Sequence, residues 1–398
     1  MTNLPQGWEV KKLEEIANIK GGKRPPKGEN LLDNNTKFAY IRVADFQDNG
    51  TINLQNIKFI NENTYNVLKN YKIYDDNLYI SIAGTIGKSG IIPKELNGAI
   101  LTENAVKLEY IQNNISNKFM YFFTLSNIFK TQIQTSTKIV AQPKLAITRL
   151  KQIQIPLPPL KEQERIVGIL DESFAKIDES IKILEQDLLN LDELMQSALQ
   201  KAFNPLKDNA KENYKLPQSW EWKSLEEISE NISAGGDKPK NCTESKTAKN
   251  QIPVYANGVN NNGLVGYTDK ATIIKPSLTI SARGTIGFVC IRKEPYFPIV
   301  RLISLIPCEN ILCLHYLYFC LNFFIAKGEG SSIPQLTIPK FKSLQIPLPP
   351  LKEQEQIAEH LDFVFEKAKA LKELYTKELK DYEELKQSLL DKAFKGEL

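Results

Sequence analysis

Two stretches of this chain carry apolar residues at the spacing of one face of a long helix. In the first, steps of four and three residues alternate, and charged residues fill many of the positions between. Such a seven-residue repeat predicts a helix that packs along another helix. The first apolar seam is Leu170, Phe174, Ile177, Ile181, Leu184, Leu188, Leu191, Met195 and Ala198. The second, less regular seam is Leu361, Val364, Ala368, Leu371, Tyr375, Leu379, Tyr382 and Leu389.

Paired prolines mark where both predicted helices begin. Pro158-Pro159 and Pro349-Pro350 disfavour helix upstream, so each helix starts directly after its pair. Each then runs for roughly 40 residues, or about 60 Å at 1.5 Å per residue. Two such helices are expected to pack as an antiparallel pair; the alternative is that each packs only on its own domain. The residues expected to form this frame are Leu170, Phe174, Ile177, Ile181, Leu184, Leu188, Leu361, Val364, Leu371 and Tyr375.

Three short sequence boxes occur twice in the same order. The Leu-Pro-Gln box at residues 4–9 returns 212 residues later, and the Gly-Thr-Ile-Gly box at 81–87 returns after 200. The proline box at 155–164 returns after 191, and that offset then stays fixed to the end of both helices. The repeat therefore predicts two modules of one geometry, each with a helix of conserved length.

The parts before the proline boxes read as mixed α/β, with short β-rich runs, glycine and asparagine turns and a few helical stretches. The predicted class is α/β (α+β): two similar globular domains separated by two long helices in an antiparallel coiled coil with pseudo-twofold symmetry. The predicted divisions are 1–160 for the first domain, 161–203 for its helix, 204–215 for a linker, 216–351 for the second domain and 352–398 for its helix.

Composition bounds the class of protein only loosely. The 398 residues carry a net charge of +4, which permits a polyanionic partner without requiring one. Five cysteines, all in the second half, favour reduced thiols and hence a cytoplasmic location. Apolar runs fall well short of the roughly 20 residues that a membrane span needs, so no membrane association is expected.

Catalytic motifs are missing from the sequence. Residues 84–89 resemble a phosphate-binding loop, but Ile82 stands where that loop requires glycine. The second copy keeps Gly284-Thr285-Ile286-Gly287 and loses the lysine and serine, so the shared glycines indicate a structural turn. His315 lies near three cysteines without the spacing of zinc ligands, which favours core cysteines over a metal site.

Groups suited to DNA are more plentiful. Residues 20–27 and 234–240 are basic loops with paired glycines and prolines, which suit phosphate contacts. Arginine and asparagine in nearby β-like runs and turns can read base edges. The alternatives are solvated surface loops and ordinary Asn-rich turns. The candidate DNA-binding residues are Lys20, Lys23, Arg24, Lys27, Arg42, Lys88, Lys138, Lys238, Lys240, Asn257, Asn260, Arg283 and Ser331.

With its paired Leu-Pro-x-x-Trp, Gly-Thr-Ile-Gly and Pro-Leu-Pro-Pro-Leu-x-Glu-Gln boxes, the chain resembles the specificity subunit of type I restriction–modification systems along nearly its whole length. The resemblance implies two target recognition domains that each read half of a bipartite duplex DNA site. It implies that the helices set the length of the DNA spacer between the half-sites and dock methyltransferase (modification) subunits, of which two are expected. It also implies a restriction/translocase subunit as a further partner. This subunit would be non-catalytic, with S-adenosylmethionine, ATP and Mg²⁺ bound by its partners.

Three other classes of protein remain to be distinguished. A self-contained bipartite DNA-binding regulator needs no methyltransferase partner. A coiled-coil scaffold protects no split DNA sequence. A fused enzyme is the weakest alternative, because its catalytic motifs are lacking.

Overall fold

A computed structural model describes residues 4–136, 144–203, 217, 219–325 and 336–398. The chain divides into two compact units. Unit 1 comprises Met1–Leu184 and Thr376–Leu398, and unit 2 comprises Glu185–Tyr375. Each long helix therefore contributes one part to each unit.

Unit 1 combines two four-stranded sheets with a separate strand pair. Its strands are β1 (Glu9–Lys12), β2 (Ala17–Gly21), β3 (Ala39–Ile41), β4 (Lys58–Phe59), β5 (Lys72–Ile73), β6 (Leu78–Ser81), β7 (Ser89–Ile91), β8 (Ala99–Leu101), β9 (Ala105–Tyr110) and β10 (Gln154–Leu157). Its helices are α1 (Leu13–Ile16), α2 (Glu62–Val67), α3 (Asn117–Leu125), α4 (Asn127–Ser136), α5 (Ile147–Lys151) and the first part of α6 (Leu160–Phe203). The sheets have the orders β2-β9-β6-β7 and β4-β3-β8-β5, and β1 pairs with β10.

Unit 2 repeats this plan. Its strands are β11 (Glu221–Ser224), β12 (Ser229–Ala234), β13 (Ile252–Tyr255), β14 (Leu264–Thr268), β15 (Ser277–Ile280), β16 (Val289–Arg292), β17 (Phe297–Pro298), β18 (Ile303–Pro307) and β19 (Gln345–Leu348). Its helices are α7 (Leu225–Ile228), α8 (Leu314–Phe324), α9 (Ile338–Lys342) and the first part of α10 (Leu351–Ala393). The orders β12-β18-β15-β16 and β11-β19 match those of unit 1, and β14-β13-β17 matches β4-β3-β8, with no counterpart of β5 among the described strands of unit 2. This agreement confirms the predicted α/β (α+β) class with two similar domains.

Strand β6 shows why each sheet is covered on both faces. All four of its residues are buried, because alternate side chains enter different cores. Leu78 and Ile80 pack with Phe119 and Phe123 of α3 in one core. Tyr79 points the other way and packs on Phe46 under the second sheet, with ring centroids 4.1 Å apart. The sheet that contains β6 is thus held between helix α3 and the second sheet of unit 1. This packing on both faces fixes the turns at the ends of its strands.

The long helices run antiparallel within each unit. In unit 1, Leu170 of α6 shares a core with Leu390 of α10, and Lys386 Nζ lies 2.5 Å from Asp178 Oδ1. In unit 2, Leu199 shares a core with Leu361, and Lys372 forms an ion pair with Asp192. Asp192 comes 14 residues after Asp178, and Lys372 comes 14 residues before Lys386, so the same number of residues separates the two ion pairs on both helices.

Most of the predicted frame residues are buried or half-buried. Leu170, Ile177, Leu184 and Leu361 are buried. The half-buried members are Phe174, Ile181, Leu188, Val364 and Tyr375. Leu371 differs from the expectation, since 38% of it is exposed. The next residue, Lys372, is half-buried, with 28% of its side chain exposed, and its ammonium forms an ion pair with Asp192.

Among the described helices, none combines the length and apolar character required of a membrane span.

Candidate nucleic-acid interface

Four strands of unit 1 end at a single edge of the fold. Strand β9 is antiparallel to both β2 and β6, so the carboxyl ends of β2 and β6 lie together. Strand β3 is parallel to β8, and the Thr102 N–H donates to Ile41 O at 3.0 Å where both strands end. We call the segments at these ends, residues 22–27, 42–48, 82–88 and 102–104, the loop edge of unit 1. The topology thereby gathers turns that are far apart in sequence.

The glycine box forms the same turn in both units. Gly84 and Gly87 have φ of 76° and 87°, and Gly284 and Gly287 have 68° and 83°. These left-handed values favour glycine. In both turns the amide of the last glycine donates over 3.0 Å to the carbonyl of the first serine, Ser81 or Ser281. The box is therefore part of the structural frame, as the comparison of the two copies predicted.

A second glycine position lets two backbone segments approach closely. A Cβ on Gly22 would lie 2.1 Å from Thr102 O, and one on Gly235 would lie 2.6 Å from Ile299 N. Gly21 pairs with Val106 just as Ala234 pairs with Ile303, so Gly22 is the structural equivalent of Gly235. The glycine pairs Gly21-Gly22 and Gly235-Gly236 are therefore offset by one residue between the two units.

The candidate cations of unit 1 differ in their partners. Lys20 lies on β2, one residue before its carboxyl end, and pairs with Glu109 of β9 at 2.6 Å. Lys88 pairs with Asp48 at 2.8 Å, and Arg24 pairs with Glu103 at 2.7 Å. Lys23 and Lys27 are exposed.

Arg42 is held by its own turn. Its Nε and Nη2 donate to the buried Asp45 carboxylate at 3.1 and 2.6 Å, and Nη2 also donates to Asn56 O at 2.9 Å. The hydrogen bond that Arg42 donates to the Asp45 carboxylate raises the pKa of Arg42. These contacts give Arg42 a structural role at the end of β3.

The Glu103 carboxylate lies at the centre of the loop edge of unit 1. Burial alone would raise the pKa of Glu103, but hydrogen bonds from its backbone, Arg24 and Thr102 outweigh burial and lower it. Tyr40, which is 2% exposed, donates to Lys23 O at 3.1 Å and lies 3.3 Å from Glu103 Oε2. Burial raises the pKa of Tyr40 to about 12, so its hydroxyl stays a donor at neutral pH.

Unit 2 has an equivalent loop edge at the ends of β12, β13, β15 and β17, formed by residues 235–240, 256–263, 281–287 and 299–301. Asn257 joins its turns: Nδ2 donates to Val300 O at 2.7 Å, and Oδ1 accepts from the Ala282 N–H at 2.8 Å. Its amide is therefore committed to the frame. Asn260, Lys238 and Lys240 are exposed.

Two further features of this edge concern arginines. Among the described residues, the buried Nε of Arg283 has no hydrogen-bond partner. Val300 and Arg301 have φ of 51° and 59°, which is uncommon for residues with a side chain and marks local strain. Sequence reasoning missed Arg301, because no motif marks a left-handed valine and arginine. Lys138 and Ser331 lie outside the described residues.

The possible zinc ligands do not come together. No cluster of His, Cys, Asp and Glu suited to a metal occurs in the described part of the chain. His315 Nδ1 instead lies 2.6 Å from Asp362 Oδ2, and Cys320 is buried in the core.

Comparisons with known proteins agree with this architecture. Residues 5–188 and 217–380 match the model of the type I restriction modification DNA specificity domain. A putative type I specificity subunit of Mycoplasma pneumoniae is 29% identical over 357 residues, covering 88% of this chain and 87% of that protein. A putative type I restriction enzyme MjaX specificity subunit of Methanocaldococcus jannaschii is 24% identical and covers 99% of this chain and 94% of that protein.

Solved structures share the fold. A chain from a structural study of type I restriction–modification assembly and conformational transition matches with a TM-score of 0.82 at 20% identity, covering 100% of both chains. The HsdS subunit from Thermoanaerobacter tengcongensis matches with a TM-score of 0.63 at 21% identity, covering 100% of this chain and 98% of that one.

Proposed function

Because this chain belongs to the family of type I restriction modification DNA specificity domains, we propose that the loop edge of each unit reads one half of a bipartite DNA site. The chain is the DNA sequence-recognition subunit of a type I restriction–modification system and is itself non-catalytic. Residues 1–160 would recognise one half-site and residues 216–351 the other, and the two long helices would form the frame that holds these domains.

The observation that carries this proposal is the contrast between frame and loops. The sheet orders, the glycine turns and the long helices repeat from unit to unit. The side chains at the loop edges do not: Ala83 stands at the turn position that Arg283 occupies in the second copy. A repeated scaffold with different side chains at one edge suits two readers of different sequences.

Assembly with the other subunits of the complex follows from the same family. In finer detail, we assign the docking of two methyltransferase subunits to the long helices. These helices carry large apolar side chains that remain exposed in the chain alone, namely Ile183, Leu189, Leu194, Phe363, Leu374 and Leu385. Such residues suit the apolar core of a protein interface. S-adenosylmethionine, ATP and Mg²⁺ would bind to these partners and to the restriction subunit.

Methylome sequencing tests the function directly. Cells that express the chain together with its methyltransferase should methylate a split motif that disappears when the chain is deleted. Replacing residues 14–154 with the corresponding segment of another specificity subunit should change one half-site and leave the other intact. A split motif that is still methylated after the chain is deleted would contradict the proposal. A segment exchange that changes both half-sites would contradict it as well.

A further inference from the structure

The strongest candidate for reading a base in unit 1 is Arg24 with its partner Glu103. The Arg24 side chain is 76% exposed, yet its guanidinium is anchored: Nε and Nη2 both lie 2.7 Å from Glu103 Oε1. An arginine that is both exposed and oriented loses little conformational freedom on binding. This pair therefore differs from the exposed Lys23 and Lys27 beside it.

The backbone beneath the pair is closely held. The Gly22 N–H donates to Ala105 O at 3.0 Å, and the Lys23 N–H donates to Leu101 O at 2.9 Å. No side chain fits at Gly22, because a Cβ there would meet the backbone of Leu101 and Thr102. The two segments that carry Arg24 and Glu103 are thus fixed against each other, as a precise binding group requires.

Both oxygens of the Glu103 carboxylate already accept hydrogen bonds within the protein. Its Oε1 accepts from Arg24, while Oε2 accepts from Thr102 Oγ1 at 3.0 Å and faces the Tyr40 hydroxyl at 3.3 Å. A carboxylate so occupied does not read cytosine itself. It acts as a positioning residue for the guanidinium.

Arg24 uses only part of its capacity to donate hydrogen bonds. Glu103 takes the edge formed by Nε and Nη2, and within the described part of the chain no partner takes either Nη1 hydrogen or the outer Nη2 hydrogen. This free end of the fork fits the N7 and O6 acceptors of guanine in the major groove. Arg42 offers a contrast, since Asp45 and Asn56 O occupy its Nη2 as well as its Nε.

Resting on the proposed function, we infer that Arg24 determines a guanine in the half-site read by unit 1 and that Glu103 and Tyr40 orient it. The ligand is the N7/O6 edge of one guanine in duplex DNA. A phosphate contact, which carries no sequence information, is the competing outcome.

The experiment uses the full chain assembled with its methyltransferase partners. The methylated motif and the binding of a randomised duplex library are measured for the wild type, Arg24→Ala, Arg24→Lys and Glu103→Gln. Arg24→Ala should lower discrimination at one G·C pair of one half-site by roughly 10- to 100-fold. Arg24→Lys should retain part of the affinity but not the discrimination, because lysine lacks the planar fork. Glu103→Gln should lower the same discrimination by about tenfold, since it leaves Arg24 present but unoriented.

The second half-site serves as the internal control for folding and assembly. It should stay unchanged in all variants, and Lys27→Gln, in the same loop, should weaken binding to all sequences alike. If Arg24→Ala also weakens all sequences alike and lowers the salt dependence by about one phosphate contact, Arg24 binds the backbone and the inference is overturned. An unaltered first half-site would overturn it as well. Failure of the proposed function looks different, because the wild type would then show no split motif.

Discussion

The Gln163 side chain accepts a hydrogen bond from the Ser116 backbone N–H at 2.8 Å, and Gln354 accepts one from Cys313 N–H at 2.9 Å. Each amide nitrogen donates back to the protein, from Gln163 to Asn114 O and Pro158 O and from Gln354 to Ile311 O and Pro349 O. The glutamine of each proline box thus fastens the first turn of a long helix to the segment before α3 or α8.

Replacing Gln163 with alanine should destabilise unit 1 by about 2–4 kcal/mol, because the residue is 1% exposed and a buried backbone N–H loses its partner. Denaturant unfolding of the full chain measures the effect. Glu164→Ala is the matched control, since Glu164 is the exposed neighbour on the same helix and should change stability by less than about 0.5 kcal/mol. Equal effects of the two substitutions would contradict the fastening role.

Substitution of two glycines should have effects of opposite sign. Gly22→Ala places a Cβ 2.1 Å from a backbone oxygen, and moving the backbone should cost more than about 2 kcal/mol. Gly168→Ala, in α6 with open space around its Cβ, should stabilise the chain by about 0.5–1 kcal/mol. Thermal and denaturant unfolding of both variants tests this pair, and a stabilising Gly22→Ala would refute the close approach.

Much of the frame was predictable because it follows local rules. A proline pair directly precedes each long helix, glycines occupy the left-handed turns, and a seven-residue repeat marks the packed face. The choice of Lys372 over Leu371 was not predictable, since it depends on where Asp192 lies on the other helix. The roles at the loop edges were equally hidden. Asn257 and Arg42 look like readers in the sequence, and only the fold shows that Val300 O, Asp45 and Asn56 O use their donors.

The ion pairs between the helices should be coupled. Reversing the charge at Asp192 alone should destabilise unit 2, and adding the reversal at Lys372 should recover most of the loss. A double-mutant cycle should give a coupling of about 0.2–1 kcal/mol, because both side chains remain partly in solvent. The coupling should fall in high salt. Additive effects of the two reversals would show that the pair contributes nothing to the register.

A matched deletion in both helices tests their part in setting the spacer. Removing residues 185–191 together with 373–379 keeps both ion pairs in register, because each helix loses one heptad between them. The helices shorten by about 10 Å, so the spacer should shorten by about three base pairs. Methylation mapping gives the result directly.

The matching control is the deletion of 185–191 alone. It places Lys372 out of register with Asp192, so we expect impaired methylation rather than a shorter spacer. A matched deletion that alters the half-sites while the spacer keeps its length would show that the helices do not set the spacing.

The pairing of β1 with β10 has a consequence for how such chains change over generations. Lys12 lies opposite Gln154, and Ser224 lies opposite Gln345, so the chain enters and leaves each variable segment side by side. Genetic recombination at the two short repeated stretches that flank a segment can therefore exchange the whole segment without disturbing either helix. A lineage can acquire a new DNA specificity in one event. Because the β1–β10 and β11–β19 pairs have the same register, a segment can also move between the two halves of a single gene.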